Sequence, residues 1–382
     1  MNRRQLLASA GASLFVGSLG ACTAPLPAFS PKALAPIRAG TDRITRITVC
    51  TRPFRPLGPR IEAEKFDAKT VVHNYGHGGS GWSLSWGSAD LALKKVLAAG
   101  DKDIAVIGCG ALGLTTAVAA QKAGLSVTIY AKDLPPNVRS SLASGVWTPD
   151  SRICFEQHAT PELKKNWEYM CRFSHAAYQN LLGLAGDPVE WIDSYAVFDE
   201  PPHPGQHTND GRPAFAELQE ELVPDLHPKR DRFGPGEHPF GNRTVSRAPT
   251  IMFNITAYSY FLISQFREAG GRIIVREFHS PHDVAMLPQN TIVNCTGYAA
   301  RELFGDQSLV PVRGQLARGI TQPDVRYQIY YKGVSFVPRR DGQVYQVTGD
   351  SDYYGFNDET TQPDRSEAEK AVTTIASLFQ NT

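Results

Sequence analysis

Residues 103–130 constrain the fold more than any other stretch of this 382-residue chain. The apolar run DIAVI at 103–107 is of strand type. It leads directly into Gly108, Cys109, Gly110, Ala111, Leu112 and Gly113, a GxGxxG pattern. A helix-like stretch follows over 114–123, closed by Gly124, and then a second strand-like run over 126–130. Strand, glycine turn, helix and strand in that order form the setting in which a dinucleotide-binding fingerprint has physical meaning. Gly108 permits the tight turn, Gly110 lets backbone approach a pyrophosphate, and Gly113 lets helix and strand pack closely. The helix start offers unpaired N–H groups and a positive dipole end to phosphate. The acidic residue expected after the second strand is displaced: Ala131 and Lys132 stand there, with Asp133 next. The fingerprint alone serves NAD and FAD alike.

Charge narrows the partners. Lys plus Arg total 39 against 38 Asp plus Glu, which excludes the basic field of a dedicated nucleic-acid binder. After residue 30 there is no apolar run of about 18 residues, so no internal membrane span is expected. The first residues read as an address: Met1-Asn2-Arg3-Arg4, an apolar small-residue stretch over 6–21, then Cys22. The paired arginines are similar to a twin-arginine signal, and Leu19-Gly20-Ala21-Cys22 to a bacterial lipobox that would lipidate Cys22. The expectation is an exported, periplasmic or membrane-anchored protein, touching membrane only through that anchor. The other five cysteines, Cys50, Cys109, Cys154, Cys171 and Cys295, are odd in number and form no CxxC, so neither a disulfide framework nor a metal site is signalled.

Four further pieces carry a family likeness. They are the polar loop 139–149, with Ser140, Ser141, Gly145 and Trp147; Asn294-Cys295-Thr296-Gly297; Pro311-Val312-Arg313-Gly314-Gln315; and VVHNYGHGGSGWSLSWG at 71–87. His73 and His77 are four apart, as a helical metal pair would be. Gly76, Gly78 and Gly79 argue against a helix and for a loop whose N–H groups approach a ligand. Together these pieces resemble the D-amino-acid oxidase family of FAD enzymes, which includes D-aspartate oxidase and is related to glycine oxidase, over roughly residues 44–360. The resemblance implies an α/β protein: a Rossmann-type FAD-binding domain with a parallel sheet, plus a mixed or antiparallel β-sheet substrate domain. It implies FAD as cofactor. For flavin contacts it adds Gly78, Gly79, Ser80, Gly81, Trp82 and Ser83 to Gly108, Gly110, Ala111, Leu112, Gly113, Lys132, Ser140, Ser141, Gly145 and Trp147. By the same resemblance Arg52 clamps the substrate carboxylate and Tyr331 assists it. Ser335 stands where the family has a second tyrosine.

The pieces come in an unusual order. HNYGHGG precedes GxGxxG here, whereas in the family it lies near the C-terminus, so the chain looks circularly permuted. The expected division is a signal segment at 1–30 and a tether at 31–43. The permuted flavin loop, its helix and the GxGxxG core follow at 44–150. A substrate-domain helix, strand and long loop take 151–245, a return to the FAD domain 246–315, substrate-domain strands 316–362, and a C-terminal helix 363–382. Two strands are expected over 327–349, turning at Arg340-Asp341-Gly342. The implied reaction is oxidative deamination of a D-amino acid, with oxygen as partner, to a 2-oxo acid, ammonia and peroxide. An amine or glycine-type oxidase, a quinone-linked dehydrogenase and a non-catalytic binding lipoprotein are the alternatives. The oligomeric state is left open.

Overall fold

The computed structural model describes residues 34–201 and 211–380. The expected signal, Cys22 and the first part of the tether lie outside these residues. Two sheets organise the chain.

The smaller sheet has the order β2-β3-β10-β4-β5-β9. Its strands are β2 (Ala63–Phe66), β3 (Lys69–His73), β4 (Asp103–Ile107), β5 (Ser126–Ala131), β9 (Arg272–Val275) and β10 (Thr291–Asn294). All pairs are parallel except β2 with β3. Buried residues of β3, β4, β5 and β10 face both ways, as a parallel sheet covered on both sides requires. One side packs on α1 (Gly81–Ala99), α2 (Ala111–Lys122), α3 (Pro161–Gln179) and α5 (Ile255–Glu268). On the other side Val71, Ala105, Ile107 and Ile292 meet Val284 and Leu287 around α6 (Pro281–Ala285). Gly100 adopts φ 89° as the left-handed cap of α1, so three residues join that helix to β4.

The larger sheet has the order β1-β11-β14-β13-β12-β6-β8-β7. It comprises β1 (Ile44–Phe54), β6 (Val189–Phe198), β7 (Asp231–Phe233), β8 (Thr244–Phe253), β11 (Val310–Gly319), β12 (Tyr327–Tyr331), β13 (Val334–Val337) and β14 (Gln343–Val347). Only β12 with β6 runs parallel. One face carries Tyr331, Phe336, Tyr345 and Val347 against α8 (Arg365–Ala376). Asp364 caps that helix by accepting from the Ser366 and Glu367 amides, a contact worth about 1 kcal/mol. The opposite face carries Ile192, Met252, Leu316, Val337 and Val344, and Val146 of the 139–149 loop packs there. That second face therefore looks toward the cofactor side of the molecule.

Several expectations change in detail. The stretch 327–349 forms three strands: Lys332 (φ 47°) and Gly333 (φ 66°) make a two-residue hairpin turn between β12 and β13. β1 continues through Arg52 to Phe54. Residues 34–39 of the expected tether are docked on the α8 face, where Ile37 is 3% exposed and Tyr327 donates to the Ala35 carbonyl. The expected loop over 200–242 contains α4 (Gln219–Leu222) and β7, and α7 (Ala300–Leu303) follows β10.

Candidate active site

The GxGxxG turn is closed by backbone. A Cβ on Gly113 would stand 2.0 Å from the Gly108 carbonyl oxygen, and one on Gly108 2.5 Å from that of Cys295. Gly108 also adopts φ 113°. Gly110 is the N-cap of α2 and carries no side chain to fill the helix mouth. The Ala111 amide donates to Ser140 Oγ at 3.0 Å, and the amides of Leu112 and Gly113 begin the same turn. Lys132 lies beyond β5 and reaches Glu277 at 3.3 Å across the surface. Burial holds the thiols of Cys109 and Cys295 up at about 12, so both are inert core residues.

The HNYGHGG segment is an irregular loop ending at α1. Gly78 donates its amide to the Pro53 carbonyl (3.0 Å) and Gly79 donates to that of Ser151 (2.9 Å). A Cβ on Gly78 would lie 2.0 Å from the Arg152 carbonyl oxygen. These two glycines thus admit the 151–152 backbone, a role the sequence pattern alone did not separate from ligand contact. Gly81, by contrast, faces open space at the start of α1, where Ser80 provides no side-chain cap. Trp82 Nε1 donates to the Ser140 carbonyl (2.8 Å), and Ser83 Oγ accepts from the Thr148 amide (2.8 Å). The N-termini of α1 and α2 therefore both abut Ser140.

The two histidines occupy separate networks. His77 Nε2 pairs with Ser88 Oγ at 2.8 Å. Ser88 donates to Asn74 Oδ1, and Asn74 Nδ2 to Thr116 Oγ1. Complete burial lowers the His77 pKa to about 3, so its ring is neutral. His73 Nε2 meets Glu64 at 2.9 Å and its Nδ1 meets Asn294. Among the described residues no group of histidine, cysteine, aspartate or glutamate side chains is arranged to hold a metal.

The 139–149 loop spans the seam between the sheets. Ser141 Oγ and Thr48 Oγ1 are both buried there without a protein partner, and so is Trp147 Nε1. Cys50 Sγ, on the same face of β1 as Thr48, contacts the Leu142 carbonyl at 3.7 Å. Gly145 has φ 92°, and a Cβ there would meet the Phe253 carbonyl oxygen at 2.7 Å. Arg339, 1% exposed, donates through Nη1 to the Ala143 carbonyl (2.7 Å) and through Nε to Asp341 (2.8 Å). It pins the loop to the large sheet, a tie that no motif announced.

Sheet register decides which side chains share a face. Arg52 pairs with Val312, Cys50 with Gly314 and Thr48 with Leu316, so Arg52 lies on the cofactor-facing side. Its guanidinium covers Gly314, where a Cβ would come within 2.5 Å of Nη2. Its one hydrogen bond among the described residues goes to the Arg313 carbonyl (3.3 Å). Tyr330 pairs with Ser335 and Ser335 with Gln346, placing all three on that same face. Tyr331 points the other way. It is buried against the α8 layer and donates to Asp199 Oδ1 at 2.9 Å. The structure therefore does not bring Tyr331 and Arg52 together. Alternation along β12 puts Tyr330 on the Arg52 face instead, and the Lys332-Gly333 turn is the signal that could have fixed this.

The residues suit a flavin dinucleotide: two helix N-termini whose own N-cap residues lay no side chain over them, glycines at the close approaches, and orphaned hydroxyls along the seam. Comparison with known proteins agrees. The family described as FAD dependent oxidoreductase matches residues 103–381. A D-amino-acid oxidase of Dictyostelium discoideum is 26% identical over 295 residues, covering 72% of this chain and 74% of that protein. A D-amino-acid oxidase of Rubrobacter xylanophilus is 27% identical over 277 residues, covering 72% and 76%. Among solved structures, an iminodiacetate oxidase from Chelativorans aligns with a TM-score of 0.49 and 16% identity over 73% of this chain and 80% of that one. On the family match over residues 103–381, the chain belongs to the FAD dependent oxidoreductase family, and FAD is its cofactor.

Proposed function

We propose that the protein oxidises D-amino acids to 2-oxo acids, ammonia and hydrogen peroxide. The observation that carries this reading is Arg52: a half-buried guanidinium on the cofactor-facing side of the large sheet that ion-pairs with no carboxylate among the described residues. The D preference rests on the relatives named above. FAD would be held by the amides that open α1 and α2, Ser140, Ser141 and the loop to Trp147. When bound, FAD supplies the acceptor for the α-hydrogen with its bonding electrons, while the nitrogen lone pair forms the C=N bond that water hydrolyses. The Arg52 fork pairs both carboxylate oxygens and so fixes the α-carbon. Tyr330, on the same sheet face, would take the part first expected of Tyr331. Val146 and the apolar face of Ile192, Leu316, Val337 and Val344 exclude water behind them.

We also infer that the chain is circularly permuted: the family match begins at Asp103, the first residue of β4, with HNYGHGG before it. Export through the twin-arginine-like start, with lipidation at Cys22, is proposed from the sequence. Cell fractionation of the full chain and of Cys22→Ser tests it, an unchanged membrane fraction arguing against the anchor.

The enzymatic test is anaerobic. Addition of D-amino acids to the flavin-bound protein is expected to bleach the visible band, and L-enantiomers are not. Readmitted oxygen should restore the band with stoichiometric peroxide. Bleaching by glycine or sarcosine alone would move the reading to a glycine-type oxidase. Recovery only with a quinone would make the protein a dehydrogenase.

A further inference from the structure

A second guanidinium stands beside Arg52 without a family motif to explain it. Arg152 follows the 139–149 loop, and its side chain is 10% exposed. Its backbone is fixed in place: φ is 51°, and its carbonyl oxygen occupies the space that a Cβ on Gly78 would need. Gly78 in turn donates to Pro53, the residue after Arg52. Both side chains also reach toward the 352–355 segment. Arg52 Nη1 binds the Arg313 carbonyl, and the Arg313 amide donates to the Gly355 carbonyl. Three residues earlier in that segment, the Asp352 carbonyl accepts from Arg152 Nε at 2.5 Å.

Arg152 is poorly compensated for a buried cation. Among the described residues its one carboxylate partner is Asp352, 3.4 Å from Nη2 and 57% exposed. Burial first, and then the Arg52 charge, pull its pKa down to about 10, while Asp352 acts weakly the other way. A buried cation with a second cation nearby is costly unless an anion enters between them. One carboxylate satisfies one arginine fork.

We propose that Arg152 is a specificity-determining residue that binds a second substrate carboxylate, so that the substrate is a D-amino acid with an acidic side chain. Arg52 takes the α-carboxylate and Arg152 the distal one. In the ligand-free protein Asp352 partly neutralises Arg152 from the solvent side, and the substrate displaces it. The inference rests on the D-amino-acid reading above.

The test compares kcat/KM of the holoenzyme for D-aspartate and D-glutamate with D-asparagine and D-glutamine. The amides match in shape and lack the charge. The wild-type acid-to-amide ratio is expected to be about 100-fold or more. Arg152→Met should collapse the ratio toward one, Arg152→Lys should keep an intermediate ratio, and Asp352→Asn should raise it. Calorimetric binding of succinate against butyrate supplies a readout independent of turnover, with the dicarboxylate advantage lost in Arg152→Met. A wild-type ratio near one, or a ratio unmoved by Arg152→Met and Asp352→Asn, overturns the proposal. If Arg152→Met does not fold, the Asp352→Asn ratio and wild-type succinate binding decide. If no amino acid bleaches the flavin, the functional reading fails. Selective succinate binding then still upholds Arg152 as a dicarboxylate site, and its absence removes that too.

Discussion

Around Gly108 the chain meets itself through backbone atoms; around Arg52 it meets itself through long side chains. In the first region a carbonyl stands 2.0–2.5 Å from where a Cβ would be, so the residue type is dictated by sterics alone. In the second, Arg52 on β1 and Arg152 after the 139–149 loop are linked through the 352–355 segment, and Tyr330 of β12 shares the sheet face of Arg52 four strands away. The backbone region can be rigid in the free protein. The side-chain region holds the two arginines of the proposed substrate site. Such a division suits a protein that holds one partner permanently and exchanges another.

Substitution at Gly113 should break the backbone region outright. A side chain in Gly113→Val has no space beside the Gly108 carbonyl, so the turn must open. The expected result is loss of flavin, read as visible absorbance per protein, with a fall in Tm from several kcal/mol of strain. Arg52→Met should leave flavin bound and lower kcat/KM by about 1,000-fold. If it also released the flavin, the two regions would not be separable.

Acid sharpens the contrast from the other side. His77 is buried and neutral, with a pKa near 3 against 6.5 for the free ring. A depressed histidine pKa means that the unfolded chain binds the extra proton. Stability should therefore fall as pH drops below about 6.5 and continue falling toward 3, by up to about 1.4 kcal/mol per unit from this group. Tm against pH for His77→Gln should show a shallower slope than wild type between pH 6 and 4. Equal slopes would place the acid sensitivity elsewhere. The smallest expected effects distinguish the adjacent tyrosines. Tyr330→Phe should lower kcat/KM about 10-fold at unchanged Tm. Tyr331→Phe should cost about 1 kcal/mol of stability, through the lost Asp199 bond, and leave turnover as it was.

The same contrast explains what could be read from sequence. Gly108, Gly110 and Gly113 sit in a turn only six residues long, so spacing along the chain is spacing in space. The irregular loop that carries His73 and His77 was legible from Gly76, Gly78 and Gly79 for the same local reason. Tyr331 was misplaced because period-two alternation gives two equivalent answers until a turn sets the phase. Lys332-Gly333 sets it, and Lys332 takes a positive φ without being glycine or asparagine. The ties of Arg152 and Arg339 left no local trace, since the carbonyls they bind lie 200 and 196 residues away. The docking of 34–39 was hidden by a Pro/Ala-rich composition that suits a tether equally well.

β10 enters the smaller sheet between β3 and β4, and its continuation at Cys295 forms the floor under Gly108. β3 and β4 are both complete by residue 107, whereas β10 begins at residue 291. At ordinary synthesis rates that interval lasts roughly 10–40 s. Throughout it both glycine motifs exist, yet the strand that separates β3 from β4 does not. A nascent chain halted before residue 291 would carry every residue expected to contact the flavin and have no floor beneath the turn. Completion of the smaller sheet thus waits for four buried residues, Thr291–Asn294, late in the life of the ribosome-bound chain.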